Sequence, residues 1–352
     1  MKKVLYFVVC LPMLLVSACD VHELPETPES VKLLLRLNYE TDMTEWQHLY
    51  DGESVIAEEL GDSYDNRCGH GKIRYVVRVY NSSEKQRVAQ EHAYEFIFTR
   101  DIADGYSHEV MLDLPPGNYS FMVWSDLKMN SGDDCFYNAD NFAEITLQGK
   151  HKGNTDYRDA FRGTSSIELV SDIMKRLPYT LDIAMQRPLA KFEFVTCDVM
   201  EFINKEMNRI ASKAGGDNSA VTDDASRAVN IEDYRVVFYY VGFMPHVYNL
   251  YADKRVDSST GMMFETSLRR VTDSEASMGF DYVFVDNNES SVTVQVAMYD
   301  NDGTRLSLTA PIKLPLKRNF HTKLRGVFLM SEASGGVSIS PSFDGDHNLI
   351  FP

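Results

Sequence analysis

Two groups of acidic residues are the first candidates for chemistry, because carboxylate oxygens are the ligands that calcium prefers. Asp133 and Asp134 lie shortly before Asp140, and Asp344 lies next but one to Asp346. Neither group has the spacing of an EF-hand loop, and aspartate in such a setting is typical of a solvated turn. We favour the turn interpretation, so the sequence predicts no metal site.

The common catalytic motifs are missing from the sequence. It contains no phosphate-binding G-x-x-x-x-G-K-[S/T] loop, no strand-linked G-x-G-x-x-G turn, and no G-x-S-x-G or H-E-x-x-H motif. The nine histidines are scattered, and only His70 and His92 share a stretch of chain. A glycosidase needs two facing carboxylates, and among 52 acidic residues the sequence selects no pair. We expect no enzymatic activity and no cofactor; a hydrolase with an unrecognised carboxylate pair is the remoter alternative.

Cys19 directly follows a segment that is typical of protein export. Lys2 and Lys3 precede the apolar run VLYFVVCLPMLLV, which is shorter than the roughly 20 residues of a membrane-spanning helix. The sequence VSAC at residues 16–19 resembles the lipobox of bacterial lipoproteins, in which the cysteine thiol receives a diacylglycerol. This resemblance predicts a signal peptide at residues 1–18, cleavage between Ala18 and Cys19, and a palmitate-bearing Cys19 that holds the protein to a membrane. An ordinary signal peptide with a chance cysteine is the alternative.

The remaining cysteines are too few for a disulfide framework. Cys68 and Cys135 lie in the polar, turn-like segments NRCGHG and GDDCFYN, and they are the better pair if a disulfide forms. Cys197 is the third cysteine after the leader, so at most one intramolecular bond is available. No Cys/His spacing predicts zinc.

The chain is acidic, with a formal net charge of −17. Such a surface repels nucleic acid, so we expect no nucleic-acid partner. Residues 19–30, CDVHELPETPES, are rich in acidic residues and proline and predict an extended tether between lipid and fold. Acidic residues after the lipidated cysteine loosely resemble the surface-export signal of Bacteroidetes lipoproteins, which implies exposure at the cell surface.

From residue 31 onward, alternating apolar and polar residues separated by Gly, Pro, Asn and Asp predict an all-β fold. In KIRYVVRVY, at residues 72–80, apolar residues share one face while Lys72, Arg74 and Arg78 share the other, which predicts one buried and one wet face. Other predicted strands lie at 31–39, 93–100, 108–114, 118–126, 143–148, 166–170, 179–185, 189–196, 234–243, 282–286 and 291–300.

The length and pattern predict two domains, at residues 31–186 and 187–352. The second contains the one predicted helix, which begins after Asp198 as the N-cap, with Glu201 as its capping-box partner, and ends before Gly215. Residues 215–230 have almost no bulky apolar side chain and predict a loop.

Three segments of the second half carry a resemblance to a known family. RPLAKFEF at residues 187–194 resembles a strand of fimbrillins, the subunits of Bacteroidetes type V pili. LKRNFHTKLRG at 316–326 and VSISPSF at 337–343 resemble the strand pair and the final strand near the fimbrillin C-terminus. LPPGNY at 114–119 resembles a turn of transthyretin-like sandwiches. The chain thus resembles a fimbrillin-like lipoprotein, closest to the anchor and accessory group.

This resemblance implies two transthyretin-like, Greek-key β-sandwich domains and assembly with other fimbrial subunits by strand exchange, in which one subunit adds a segment to another's sheet. An arginine-specific protease is expected to cut shaft fimbrillins near the first strand, and Arg36 is the basic residue within VKLLLRLNY. We favour Arg36 as a solvent-facing residue of an uncut edge strand. Residues 336–352 are the candidate donor segment, although Gly345, Asp346 and His347 interrupt its apolar alternation.

We therefore expect a non-enzymatic, lipid-anchored protein of the cell outer membrane, exposed at the surface, that acts as anchor or accessory subunit of a fimbrium in cell adhesion. The main alternative is a surface glycan-binding lipoprotein, which requires exposed aromatic rings. Trp46 and Trp124 are the most suggestive rings, and for Trp46 we favour a core or edge position.

Overall fold

Strands rich in β-branched and aromatic residues dominate the chain, because such side chains pack well on a pleated surface. A computed structural model describes residues 30–50, 55–60, 71–81, 91–128, 136–171, 177–213, 229–286, 290–331 and 337–338. Within these ranges the fold is all-β with one α-helix, as the sequence predicts.

The strands that precede residue 187 are β1 (Val31–Tyr39), β2 (Thr44–Tyr50), β3 (Val55–Leu60), β4 (Lys72–Asn81), β5 (Tyr94–Asp101), β6 (His108–Leu114), β7 (Gly117–Lys128), β8 (Tyr137–Asn138), β9 (Ile145–Leu147), β10 (Ala160–Leu169) and β11 (Tyr179–Met185). Short 3₁₀ turns lie at Ile102–Asp104 and Asp156–Arg158.

The later elements are β12 (Leu189–Thr196), α1 (Val199–Lys213), a 3₁₀ turn (Ile231–Asp233), β13 (Arg235–Tyr240), β14 (Phe243–Asn249), β15 (Lys254–Thr260), β16 (Met263–Ser267), β17 (Arg269–Arg270), β18 (Ala276–Phe284), β19 (Ser290–Tyr299), β20 (Arg305–Leu308), β21 (Ile312–Leu316), β22 (Phe320–Gly326) and β23 (Val337–Ser338).

The first sandwich pairs a three-stranded sheet, β11-β1-β6, with a four-stranded sheet, β10-β7-β4-β5. Its core is filled by apolar side chains from both sheets, among them Leu35, Val77, Phe121 and Ile183, all 0% exposed. Gly163 lets the two sheets approach at β10, because a Cβ at this position would lie 2.5 Å from the Ile183 side chain.

The second sandwich is larger. One sheet has the order β17-β18-β12-β22-β2-β3, and the other has the order β16-β13-β19-β21-β23 with β20 paired to β19. Phe192, Phe194, Phe238 and Val296 lie in its core, and Phe202 of α1 packs against the same cluster. The sandwiches therefore bury their apolar faces around two separate centres.

A third apolar cluster joins the two halves of the chain. It brings Met122 and Trp124 of β7 together with Leu189, Tyr248 and Phe284 from the second half. Because this cluster covers the outer face of β4 as well, the expectation of a wet face on that strand is wrong: Arg78 is only 8% exposed. Its guanidinium lies over the Phe142 ring, 4.3 Å from the centroid, and Nε is 2.6 Å from Glu95 Oε2.

Sheets also cross the predicted domain boundary after residue 186. β2 lies parallel to β22 in the second sandwich and β3 follows it at the sheet's end. β9 pairs with β14 in a four-stranded sheet of order β15-β14-β9-β8. The boundary itself stays a prediction, but strands from before it complete sheets that lie beyond it.

β1 is a central strand, so the expectation that it lies at a sheet edge is wrong. It pairs in parallel with β11 and antiparallel with β6 over most of its length. The strand predicted at 234–243 is also two strands, because the chain turns at Gly242, whose φ of 101° favours glycine.

The helix α1 occupies the predicted position. The carboxylate of Asp198, the predicted N-cap, binds the chain that follows β22. It accepts hydrogen bonds from the backbone N–H groups of Leu329 and Met330, and the Thr196 hydroxyl donates to it. Asp198 therefore ties the chain after β22 to the start of the helix. Among the described residues, no helix is long and apolar enough to cross a membrane.

Candidate functional site

Most of the residues singled out in the sequence fall outside the described ranges. Ala18 and Cys19 precede residue 30, and Cys68 and Cys135 lie in segments that are not described. The lipidation and disulfide predictions therefore remain predictions. Four of the five aspartates that were considered as calcium ligands also lie outside the described residues, and the fifth, Asp140, is exposed. Within the described part of the chain, no group of three or more His, Cys, Asp or Glu side chains could hold a metal ion.

Arg36 lies within β1, on the side of the strand that faces away from the core. Its Nε is 2.8 Å from Glu109 Oε1 on β6, and the two side chains are 42% and 60% exposed. On the other side of β1, Leu33, Leu35 and Leu37 are each 0% exposed. The paired backbone on both flanks and the buried leucines hold this first strand in the fold.

Arg187, the first residue of the fimbrillin-like RPLAK segment, is completely buried where the two halves meet. Nε and Nη2 donate to the Asp159 carboxylate at 2.8 and 2.9 Å, and Nη2 also donates to the carbonyl of Thr41 at 2.6 Å. Nη1 donates to Asn319 Oδ1 at 2.8 Å, and the guanidinium lies over the Phe161 ring. This motif residue therefore joins four segments that are far apart in sequence.

Asn319, in the second motif, completes the same junction. Its side-chain amide donates to the carbonyl of Asp42 at 2.8 Å. The residue has a φ of 61°, a left-handed conformation that asparagine tolerates better than most residues. Beside it, Arg318 Nη1 lies 2.9 Å from Asp253 Oδ1 and Nη2 donates to the carbonyl of Val285.

Lys191 lies on β12 with its ammonium group inside the junction. Nζ is 2.9 Å from Asp156 Oδ1, 3.9 Å from the centroid of the Phe280 ring and 5.2 Å from that of Tyr282. Burial lowers the pKa of Lys191, and the nearby carboxylates, first Asp156, only partly oppose this shift.

Glu193 and His321 form a second buried pair on β12 and β22. His321 Nε2 lies 3.3 Å from Glu193 Oε2, and the Ser277 hydroxyl donates to Oε1 at 2.6 Å. Burial alone would raise the pKa of Glu193, but His321 and Ser277 outweigh it and lower that pKa to about 2. Burial lowers the pKa of His321.

The Glu193 pair predicts a loss of stability in acid. The folded-state pKa of Glu193 lies below its usual value of 4.5, so the stabilisation is present above that value and is lost as the pH falls towards about 2. Glu193→Gln should remove up to about 3 kcal/mol of acid-dependent stability. Urea unfolding at a series of pH values measures this slope; an identical slope in wild type and variant would contradict the prediction.

A further acid–imidazole arrangement was not found from the sequence. His151 Nε2 lies 2.7 Å from Asp281 Oδ2, Arg158 Nη1 lies 3.0 Å from Asp281 Oδ1, and the Tyr240 hydroxyl donates to Asp281. The geometry resembles a catalytic dyad, but Asp281 is 0% and the His151 side chain 3% exposed, so a substrate has no access to it. The residues come from segments that are far apart in the chain, and no local sequence motif indicates that they form this arrangement.

Most aromatic side chains of the described residues are buried or half-buried. Trp124 is 0% exposed, and the side chain of Trp46 in β2 is not described. Among the described residues, Phe243 is the one aromatic ring in the set of exposed large apolar side chains, at 74% exposure. The described residues therefore offer one exposed ring of this kind, whereas the glycan-binding alternative requires a cluster.

Two β-sandwiches, joined through a shared core and a buried ionic junction, define an all-β class of protein with one helix among the described residues. Residues 28–352 match the family described as "Family of unknown function (DUF6562)", and the chain belongs to that family. No curated protein matches the sequence.

The solved structures to which this chain is similar include fimbrial proteins. The fimbrial anchor protein Mfa2 from Porphyromonas gingivalis is 12% identical, with a TM-score of 0.33 over 79% of this chain and 82% of that chain. The tip fimbrial protein Mfa3 from the same organism, truncated at its C-terminus, is 11% identical, with a TM-score of 0.38 over 92% and 98% of the two chains. A candidate polysaccharide-binding protein from Bacteroides thetaiotaomicron is 10% identical, with a TM-score of 0.41 over 81% and 80%.

Proposed function

We propose that the chain is a non-enzymatic lipoprotein, held to the outer membrane through Cys19, that serves as anchor or accessory subunit of a fimbrium in cell adhesion. Its partners are other fimbrial subunits, which pair with it by strand addition. The observation that carries this proposal is the position of β1, the first strand after the tether, in the middle of its sheet.

The position of β1 matters because of what its removal would uncover. β6 and β11 flank it, and Leu33, Leu35 and Leu37 fill the apolar space beneath it. Cleavage after Arg36 would release the part of β1 that carries Leu33 and Leu35, and would open a groove that another strand could fill. A chain that keeps β1 has this position occupied by its own strand, as expected of a subunit that ends a polymer instead of extending it.

An edge strand is available for a partner. β5 ends its sheet and pairs with β4 alone among the described strands, so one row of its N–H and C=O groups is open to pairing. Along it, exposure alternates, and Ile97 on the outer face is 61% exposed. An added strand would be held by main-chain hydrogen bonds, with side chains giving specificity.

The proposal is tested on protein isolated from its native membrane. Mass spectrometry determines the N-terminal modification and identifies the proteins that copurify. Acylated Cys19, uncut Arg36 and accompanying fimbrial subunits support the proposal. A chain that begins after Arg36 would be a polymerising shaft subunit, and an intact lipoprotein found with glycan-uptake proteins would favour glycan binding.

The lipid anchor gives a separate prediction. Cys19→Ser should move the protein from the membrane fraction to the soluble fraction, because acyl chains supply about 0.8 kcal/mol per buried CH₂ and the serine hydroxyl does not accept them. Cys10→Ser is the matched control, since it changes a cysteine within the predicted leader. Fractionation with immunodetection measures the distribution; equal membrane association of both variants would contradict anchoring through Cys19.

A further inference from the structure

Lys191 and Asp156 meet in surroundings that suit a covalent reaction as well as an ion pair. Lys191 is 4% exposed, and its Nζ lies 2.9 Å from Asp156 Oδ1. The Asp156 side chain is 27% exposed, so a small leaving group at this carboxyl has a way out to solvent. The pair links the 3₁₀ turn Asp156–Arg158 to β12.

Both partners are held in place. Asp156 begins a 3₁₀ turn that is capped by Thr155, whose hydroxyl oxygen accepts a hydrogen bond from the Tyr157 N–H at 3.3 Å. The last residue of the turn, Arg158, is 2% exposed and ion-paired to Asp281. Lys191 lies within a strand that is paired on both sides, by β18 and β22. Such fixed geometry replaces a bimolecular encounter, which is the main entropic barrier to condensation of an amine with an acid.

The surroundings also favour the reactive form of the amine. Aromatic rings of Phe280 and Tyr282 lie against Nζ, which keeps bulk water away from it. Burial lowers the pKa of Lys191, so a larger share of the amine is neutral and nucleophilic than in water.

A hydrogen-bond donor lies at the carboxyl that would be attacked. The Tyr282 hydroxyl donates to Asp156 Oδ1 at 2.8 Å. When an amine adds to a carboxyl carbon, negative charge develops on the carboxyl oxygen, and a fixed donor at that oxygen stabilises the tetrahedral intermediate. Tyr282 therefore occupies the place of an oxyanion donor.

We propose that Lys191 and Asp156 become joined by an intramolecular isopeptide bond. The neutral Nζ attacks Cγ of the protonated Asp156 carboxyl, a C–N bond forms, and one C–O bond breaks. The hydroxyl leaves with a proton from the amine as one water molecule. No oxidant, metal or external reagent is consumed. The bond ties the first half of the chain covalently to the first strand of the second.

Peptide mapping of the full-length protein tests the bond directly. Trypsin cannot cut after an acylated lysine, so the segment 177–205 should remain intact at Lys191 and carry the segment 153–158 as a branch. The branched peptide should weigh one water molecule less than the two segments together. Sequencing by tandem mass spectrometry places the branch at Lys191 and Asp156.

Lys191→Arg is the matched control, because it keeps the positive charge but cannot form the amide under these conditions. Its digest should contain segment 153–158 as a free peptide, and its intact mass, corrected for the substitution, should exceed that of wild type by one water molecule. Asp156→Asn gives a second signature, since the same reaction then releases ammonia in place of water. Tyr282→Phe should slow the reaction and leave a mixture of linked and unlinked chains.

If Lys191 and Asp156 form an ion pair but no covalent bond, peptide mapping gives a different result. Wild-type protein would then release segment 153–158 as a free peptide, would be cut after Lys191, and would match the corrected mass of the arginine variant. That result overturns the proposal even if every variant folds. The mapping is independent of lipidation and of fimbrial partners, because neither changes these two peptides.

Discussion

Replacing Arg187 with alanine is expected to lower the free energy of unfolding by about 3–5 kcal/mol, because it leaves a buried carboxylate without its partner. Asp159, which is 0% exposed, would lose the guanidinium donors, and the carbonyl of Thr41 would lose one as well. Urea unfolding followed by circular dichroism measures the change.

Arg36→Ala is the matched control, since Arg36 also pairs with a carboxylate but does so at the surface. It should cost less than about 1 kcal/mol. The double variant Arg187→Met with Asp159→Leu removes both charges and should be more stable than Arg187→Ala alone. If Arg187→Ala were as mild as the surface control, the junction would not depend on the buried pair.

Trp124→Ala should cost about 3–5 kcal/mol and should loosen both sandwiches. Trp124 lies in the third cluster, where its ring centroid is 5.4 Å from that of Tyr137 and 6.5 Å from that of Phe284. Its indole N–H also donates to Asp126 Oδ2 at 3.3 Å. Removing the ring leaves a cavity between the two halves, so unfolding of one half is no longer opposed by packing against the other.

Hydrogen exchange distinguishes this effect from a general loss of stability. In Trp124→Ala, exchange should rise in β7 and also in β14 and β18, which contribute Tyr248 and Phe284 to the cluster. Leu35→Ala is the control, because Leu35 lies in the core of the first sandwich only. Increased exchange confined to β7 and its sheet in the tryptophan variant would show that the cluster does not couple the halves.

The strands that the sequence predicts well are those with strong alternation and one buried face. The bounds of β1, β6, β11 and β12 agree with the prediction, since their apolar residues recur at every second position. β15, KRVDSST, was missed because it has little apolar pattern and depends on pairing with β14. β2 was missed for a similar reason, as its place beside β22 depends on a contact between distant parts of the chain.

The wet face expected for β4 shows the same limit. Local alternation places Arg74 and Arg78 on the same face of the strand, but it does not reveal that a second core covers this face. Nor does it reveal that each arginine pairs with a carboxylate there, Arg74 with Asp126 and Arg78 with Glu95. The motif residues Arg187, Asn319 and His321 were recognisable in the sequence, whereas their contacts were not, because each partner lies far away in the chain.

The place of β1 has a mechanical consequence. If the chain is held through Cys19, as proposed, a load between the membrane and the rest of the fold would pull on β1 from its N-terminal end, along the axis of the strand. Its ladders to β11 and β6 run across that direction, because hydrogen bonds between strands are perpendicular or slanted to them. The bonds are then loaded in shear, all at once, instead of being peeled one after another. A strand held on both flanks in this way yields only at forces that break two ladders together.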